Sequence, residues 1–412
     1  MKKIIIIIIT LVLFGSCKKD EPAPIVVPII TSINPIQGNP DTEIAINGSG
    51  FSTVVSENIV KFNGVVAKVS SATSSTLIAK VPISSGSGLV EVSTSKGSAN
   101  GPSFTYIPDI FVGGIESNGS KFVGKYWKNG VAVNVTNGTN NVTIYSIAVS
   151  GNDVYLAGYE TVGSVKVAKY WKNGIENILS DQSKDAFCYS IAIDGTDVYV
   201  AGSEFNGNQY VAKYWKNGIS VSLTNGQVSA EAHGIAISDG NVYVTGQEAL
   251  PAGPLVAKYW KNGIATSLTD GKYDASAWSI VVSGNDIYIS GYEDNGVNYA
   301  RYWKNGLTNA LSYNGNNIVD QIDQIVVSGS DVYVAGRQSK TALYWKNGIA
   351  VPLTNGSNLS FAHSIFLYGS DIFVAGNEFN GTAKVGKYWK NGSAVNLTNG
   401  FFDCSPWGII VR

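Results

Sequence analysis

The sequence predicts an all-β chain, a small β-sandwich followed by a seven-bladed β-propeller closed by the C-terminal strand. Three observations predict it. A Tyr-Trp-Lys-Asn-Gly phrase begins at Tyr126, Tyr170, Tyr214, Tyr259, Tyr302, Tyr344 and Tyr388, at spacings of 42 to 45 residues, which is the period of propeller blades. The text before it alternates apolar and polar residues at period two between turn signals, the pattern of short strands. Glycine fills 46 of 412 positions and Tyr and Trp 22 and 9, a composition of strands joined by tight turns, and no stretch carries a long helical period.

The chain opens with Met1-Lys2-Lys3, an apolar run from Ile4 to Phe14, and then Gly15-Ser16-Cys17. Positive, apolar and small residues in that order make a secretory signal. The run is too short to span a bilayer. Small residues before a lone Cys resemble the lipobox of bacterial lipoproteins, although Phe14 stands where that family usually has Leu. The resemblance implies cleavage after residue 16 and acylation of Cys17. Lys18-Lys19-Asp20-Glu21 is similar to the charged tag of surface-exposed lipoproteins of Gram-negative bacteria, which implies the outer membrane and an outward-facing protein. Residues 1–16 are thus expected to be the signal and 17–27 the lipidated Cys with a linker, stiffened by Pro22, Pro24 and Pro28.

In charge, 29 Lys and Arg stand against 30 Asp and Glu, and loss of Lys2 and Lys3 with the signal leaves 27 against 30, or −3. That balance leaves no electrostatic footprint for nucleic acid. After Cys17 only Cys188 and Cys404 remain, so no disulfide framework is present. The two fall in different blades and are expected to be free thiols.

From residue 28 to 107, strands are expected at Ile29–Ile33, Glu43–Ile46, Ile59–Phe62, Ala67–Val69, Leu77–Val81 and Leu89–Val92, the text of a small sandwich. Ile33-Asn34-Pro35 with Gly38, Asn47-Gly48-Ser49-Gly50-Phe51, Val60-Lys61-Phe62-Asn63-Gly64-Val65 and Phe104-Thr105-Tyr106 resemble the IPT/TIG family over the whole module. The resemblance implies an immunoglobulin-like fold used as a spacer or contact domain, without catalytic residues.

Residues 108–412 are expected to form the propeller. A second phrase, Asp-Val-Tyr-Val-Ala-Gly or a variant, begins at Asp109, Asp153, Asp197, Asn241, Asp286, Asp331 and Asp371. Each unit then parses into strands a to d, for instance Tyr189–Ile193, Asp197–Glu204, Tyr210–Trp215 and Ile219–Leu223. Adjacent Tyr214 and Trp215 point to opposite faces of the blade, so the repeated Trp is expected in the core between blades. Lys-Asn-Gly is a strong hairpin signal. The first repeat lacks a strand a, and the chain ends on Trp407-Gly408-Ile409-Ile410-Val411, which matches strand a of the others. The last strand therefore completes the first blade, a closure similar to that of WD40-type propellers, and it removes open sheet edges.

The a–b and c–d turns lie at one end of the propeller and are nearly constant, whereas the b–c loops and d–a segments at the other end vary and the latter share little. Variation not dictated by the fold marks a candidate binding face. Two residues before the central Ile of strand a, the blades place Trp407, Tyr145, Tyr189, His233, Trp278, Asp323 and His363. Both histidines and the only two Trp outside the repeat occupy this position. Such a ring suits the flat faces of sugars or an inserted peptide, or it fills the channel as a plug whose members bond one another. A second set, Glu116, Glu160, Glu204, Glu248, Glu293 and Glu378, either invites a cation or pairs with Lys125, Lys169, Lys213, Lys258, Arg301 and Lys387. Blade six replaces both partners together, with Gln338 and Leu343, which favours structural pairing.

No nucleophile elbow, phosphate loop or zinc-type Cys/His cluster stands in the sequence. Although His233, His363 and Asp323 have the residue types of a metal triad, blades four and seven lie across the channel from one another. The expectation is a lipid-anchored, monomeric, non-catalytic module that binds a glycan or a surface protein and uses no cofactor or metal. A lyase working through Tyr and His at the propeller mouth, or an adhesion and assembly module, are the alternatives. Lipidation is checked by Cys17→Ser: the variant is expected to move to the aqueous phase of a detergent extraction, while the parent stays with the membrane fraction.

Overall fold

The structure, a computed structural model, describes residues 26–313 and 320–412. The expected signal and Cys17 lie outside the described residues. The chain divides into two compact units at the Ile107/Pro108 boundary. No helix among the described residues is long and apolar enough to cross a membrane.

The first unit is a sandwich. Strands Ile29–Asn34, Glu43–Ser49 and Thr76–Lys80 make one sheet, and Ile59–Phe62, Gly88–Thr94 and Gly97–Tyr106 the other. Strand Val65–Ala72 serves both, since Ala67 pairs with Val60 while Val69 pairs with Ala79. Period-two alternation has its expected consequence: Ile44 and Ile46, Val60 and Phe62, Leu77 and Ala79, Val90 and Val92 are all buried. Phe62 and Phe104 meet edge-on with centroids 5.1 Å apart.

The second unit is a propeller of seven four-stranded sheets. Blade three shows the pattern, with strands Ala186–Asp194, Asp197–Phe205, Tyr210–Lys216 and Ile219–Ser222 in the order a, b, c, d. Its outer strand is four residues long and exposed, and a short edge strand is a poor template for unwanted pairing. Each c–d turn has Asn at φ 49–52° and Gly at 80–83°, as a two-residue hairpin of this twist requires. The turn Asn also ties two strands together: Asn217 Nδ2 donates to Asp197 Oδ1 at 2.8 Å, and Asn217 Oδ1 accepts from the Val198 amide at 2.9 Å. The turn Lys beside it completes the lattice, and Lys216 holds the Asp197 carboxyl below its ordinary range.

All seven repeated Trp are buried, at 0–2% exposure. Each packs on strand b of the blade before it. Trp215 joins Tyr155 and Ala157 of blade two, Trp260 joins Tyr199 and Ala201 of blade three, and Trp127 closes the circle against Phe373 and Ala375 of blade seven. Burying one such indole is worth about 3–5 kcal/mol, judged by the cost of truncating core Trp. The inner strands are stitched as well. Ser146 Oγ accepts from the Ile191 amide at 3.3 Å, Gln324 Oε1 from that of Ile365 at 3.0 Å and Ser364 Oγ from that of Ile409 at 3.0 Å. At Gly234 an added Cβ would stand 2.8 Å from the Trp278 carbonyl oxygen, so the backbones of neighbouring blades approach directly there.

Closure follows the expected register. Strand Cys404–Val411 pairs antiparallel with Ile110–Ser117, placing Ile409 opposite Val112 and Val411 opposite Ile110. Asp109 and Arg412 extend the ladder by exchanging backbone hydrogen bonds of 2.8 and 3.0 Å. The acid–base set is structural: all six glutamates pair with the predicted Lys or Arg, among them Arg301–Glu293 at 2.9 Å and Lys387–Glu378 at 2.6 Å. Cys188 and Cys404 are free and buried, and burial pushes both thiols up.

Two expectations need correction. Strand a of blade three begins at Ala186 rather than Tyr189, because a bulge lets it pair on both sides of Tyr189. The d–a segments are also more regular than they read. Five open on Thr-Asn-Gly or Thr-Asp-Gly, and Thr136, Thr224, Thr269, Thr354 and Thr398 each accept from a strand c amide at 3.0–3.2 Å. Their length and their last residues differ, and that variation masked the shared cap.

Because the last strand pairs within blade one on both sides of its single bulge, deleting residues 406–412 is expected to abolish the cooperative unfolding transition and promote aggregation. Circular dichroism melts and size-exclusion chromatography check this; a monomeric product melting like the parent contradicts the closure.

Candidate binding site at the channel mouth

Strand a lines the central channel, and in every blade its ladder is interrupted at one place. The register shifts between Ile144 and Ser146, Cys188 and Ser190, Ala232 and Gly234, Ala277 and Ser279, Ile322 and Ile325, Ala362 and Ser364, and Pro406 and Gly408. The residues left out of the pairing are Tyr145, Tyr189, His233, Trp278, Asp323 with Gln324, His363 and Trp407. A bulge adds a residue, leaves it unpaired and re-aims its side chain. The predicted ring is therefore a ring of bulged residues, and all seven of its members line one cavity of about 750 Å³.

The side chains touch around the channel. Trp407 stacks on His363 with centroids 3.9 Å apart and meets Tyr145 at 5.3 Å. Tyr145 meets Tyr189 at 5.3 Å, Tyr189 meets His233 edge-on at 5.1 Å, and His233 stacks on Trp278 at 4.1 Å with planes 10° apart. His363 Nδ1 lies 3.0 Å from Asp323 Oδ2. The collar is thus bonded to itself, as a plug would be, and it surrounds open space, as a binding mouth would. His233 and His363 are buried while Tyr145, Tyr189, Trp278, Asp323 and Trp407 keep partial exposure.

Residues that the sequence did not single out support the collar. Glu231 Oε2 lies 3.1 Å from His233 Nε2, and Gln321 Nε2 donates to Asp323 Oδ2 at 2.9 Å. Phe187 stacks on Tyr189 and Phe361 on His363. These occupy the position two before each collar residue. Tyr159 and Tyr292 come from strand b, at the variable position between the repeated Gly and Glu. That variability inside a constant motif was the available signal.

Burial, with the Tyr159 phenol next, raises Tyr145 above its ordinary range, and burial, with Glu231 next, raises Tyr189. Both phenols therefore stay protonated near neutrality and act as hydrogen-bond donors. Each histidine has its own carboxylate, so His233, His363 and Asp323 do not converge on a metal position. Among the described residues no group of three or more His, Cys, Asp or Glu is placed to hold one.

Residues 28–106 match the IPT/TIG domain family model. The chain as a whole matches no curated protein. Solved structures similar to it include a protein of unknown function from Bacteroides thetaiotaomicron, at 11% identity and TM-score 0.48, covering 86% of this chain and 96% of that one. An auxiliary nutrient binding protein from Bacteroides ovatus gives 17% identity and TM-score 0.34, covering 81% and 86%. The β-propeller domain of the Trilobed protease from Pyrococcus furiosus gives 9% and 0.42, covering 91% and 99%.

The two exceptional Trp differ in how many rings they hold. Trp407 has two ring partners and Trp278 one, and an aromatic pair contributes about 0.5–1.5 kcal/mol beyond its buried area. Trp407→Ala is expected to destabilise the propeller more than Trp278→Ala, by about 1 kcal/mol in urea denaturation; equal losses would show that the ring contacts do not carry the difference.

Proposed function

We propose that the chain is a cell-surface binding module whose site is the collar at the b–c/d–a end of the propeller, and that its ligand is a glycan. The observation that carries this is the bulge ring: seven side chains freed from the sheet, mostly aromatic, interleaved with hydrogen-bonding groups around one cavity of about 750 Å³. That volume lies in the range of small-molecule sites. Aromatic faces bind the C–H faces of sugar rings, and the neutral phenols of Tyr145 and Tyr189, the imidazoles and Asp323 give hydroxyl groups their partners. The sequence signals at Cys17 and Lys18–Glu21 support placement on a lipid anchor at the outer membrane, facing outward, with the IPT/TIG module between anchor and propeller as a spacer.

One observation favours a second reading. Asp323 orients His363 through Nδ1, the arrangement of a carboxylate-assisted general base, so β-elimination from a glycan is the enzymatic alternative. The raised phenols count against a tyrosinate base in such a reaction. A surface protein as ligand, held in an adhesion role, remains the third.

Binding of the protein to an array of oligosaccharides, with release of unsaturated product measured on every bound glycan, tests these together. Saturable binding without product is expected, with strong weakening by Tyr189→Ala. Product formation would establish the enzyme, and absence of any glycan bound while a surface protein is captured from whole cells would establish the adhesion role.

A further inference from the structure

The chemistry of the collar is uneven, and the unevenness picks out one place. Six rings follow one another in contact, from His363 through Trp407, Tyr145, Tyr189 and His233 to Trp278. The seventh position carries Asp323. One face of Trp278 lies on the His233 imidazole, so its opposite face ends the stack on the side of Asp323. The cavity's lining extends further along the blades at the same point. Most blades line it from the collar position inward, whereas blade five adds Tyr292 from strand b and blade six adds Asp320, Gln321 and Ile322. Blade six is also where strand a skips two residues rather than one.

Asp323 is held firmly. It accepts from Gln321 Nε2 at 2.9 Å, faces His363 Nδ1 at 3.0 Å, and its backbone carbonyl accepts from Ser290 Oγ at 2.7 Å. A carboxylate offers about four acceptor sites, so room is left for a hydroxyl. An indole face beside an oriented acceptor fits a pyranose, whose C–H face covers the indole while an edge hydroxyl donates to the carboxylate. Asp320 also lines the opening. The Arg337 guanidinium donates to the Ser339 carbonyl at 3.1 Å, lies over Phe361 at 4.7 Å and pairs with Asp320 at 3.8 Å, so its charge is already matched within the chain. A sugar carboxylate placed against Asp323 would meet like charge.

We propose that the open end of the collar, between Trp278 and Asp323, is the specificity subsite of the mouth and takes a neutral pyranose in preference to a uronic acid. The proposal rests on the reading of the mouth as a glycan site. Calorimetric titration of the detergent-solubilised full chain with neutral and uronic oligosaccharides of equal length tests it, alongside Trp278→Ala and Asp323→Asn, with melting of every variant recorded. The expected result is tighter binding of the neutral series and a roughly 30-fold loss in each variant, the size of an aromatic hot spot. The nearly isosteric Asp323→Asn carries the test if Trp278→Ala does not fold. Binding of neutral glycans that survives both substitutions in folded protein, or a preference for uronates, overturns the subsite and leaves the glycan reading standing. Failure of every oligosaccharide to bind overturns that reading as well.

Discussion

The propeller depends on one interaction made seven times, the seating of a buried Trp from strand c on strand b of the preceding blade. Because each blade gives an indole to the blade before it and receives one from the blade after it, a blade at an open end would leave one of these contacts unmade. The chain must therefore close on itself, and the C-terminal strand supplies what blade one lacks. Everything nearer the axis is conditional on that outer packing, including the stitching of Ser146, Gln324 and Ser364 to the next strand. The charged groups are secondary. Glu–Lys pairs recur in five blades and a Glu–Arg pair in another, yet blade six dispenses with both partners and buries Leu343 instead, with no change in sheet order.

The fold was legible because its strongest signals were periodic. A pentapeptide repeated at near-constant spacing reports both blade number and the place of the core Trp, and the unmatched strand at the end of the chain reports closure. What was not legible follows from what periodicity hides. Strand a was read as starting at Tyr189, whereas the strand starts at Ala186 and its ladder is interrupted at Tyr189, since a bulge changes hydrogen-bond count without changing composition. The Thr caps were missed for the opposite reason: a shared Thr-Asn-Gly was diluted by unlike residues after it.

For the candidate site, the register was visible and the partners were not. Rare residues concentrated at one repeat position identified the collar. The carboxylate that faces each histidine could not be assigned, because Glu231 lies in the same strand as His233 while Asp323 lies in the blade before His363. Two similar residues thus use unrelated neighbours, and only the three-dimensional ring distinguishes them. The same geometry separates the two exceptional Trp into one held between two rings and one held by a single face.

The bulges also bear on how such a surface changes over time. A residue outside the ladder carries no sheet hydrogen bond whose loss would disturb the blade, and its neighbours on either side keep their register whichever side chain it bears. Within one chain that position already holds Trp, Tyr, His and Asp, on blades that are otherwise near copies. Duplication of a blade would thus deliver a ready scaffold with one free variable. Seven such variables, changed one at a time, give the mouth a combinatorial range that selection can explore without unfolding the ring.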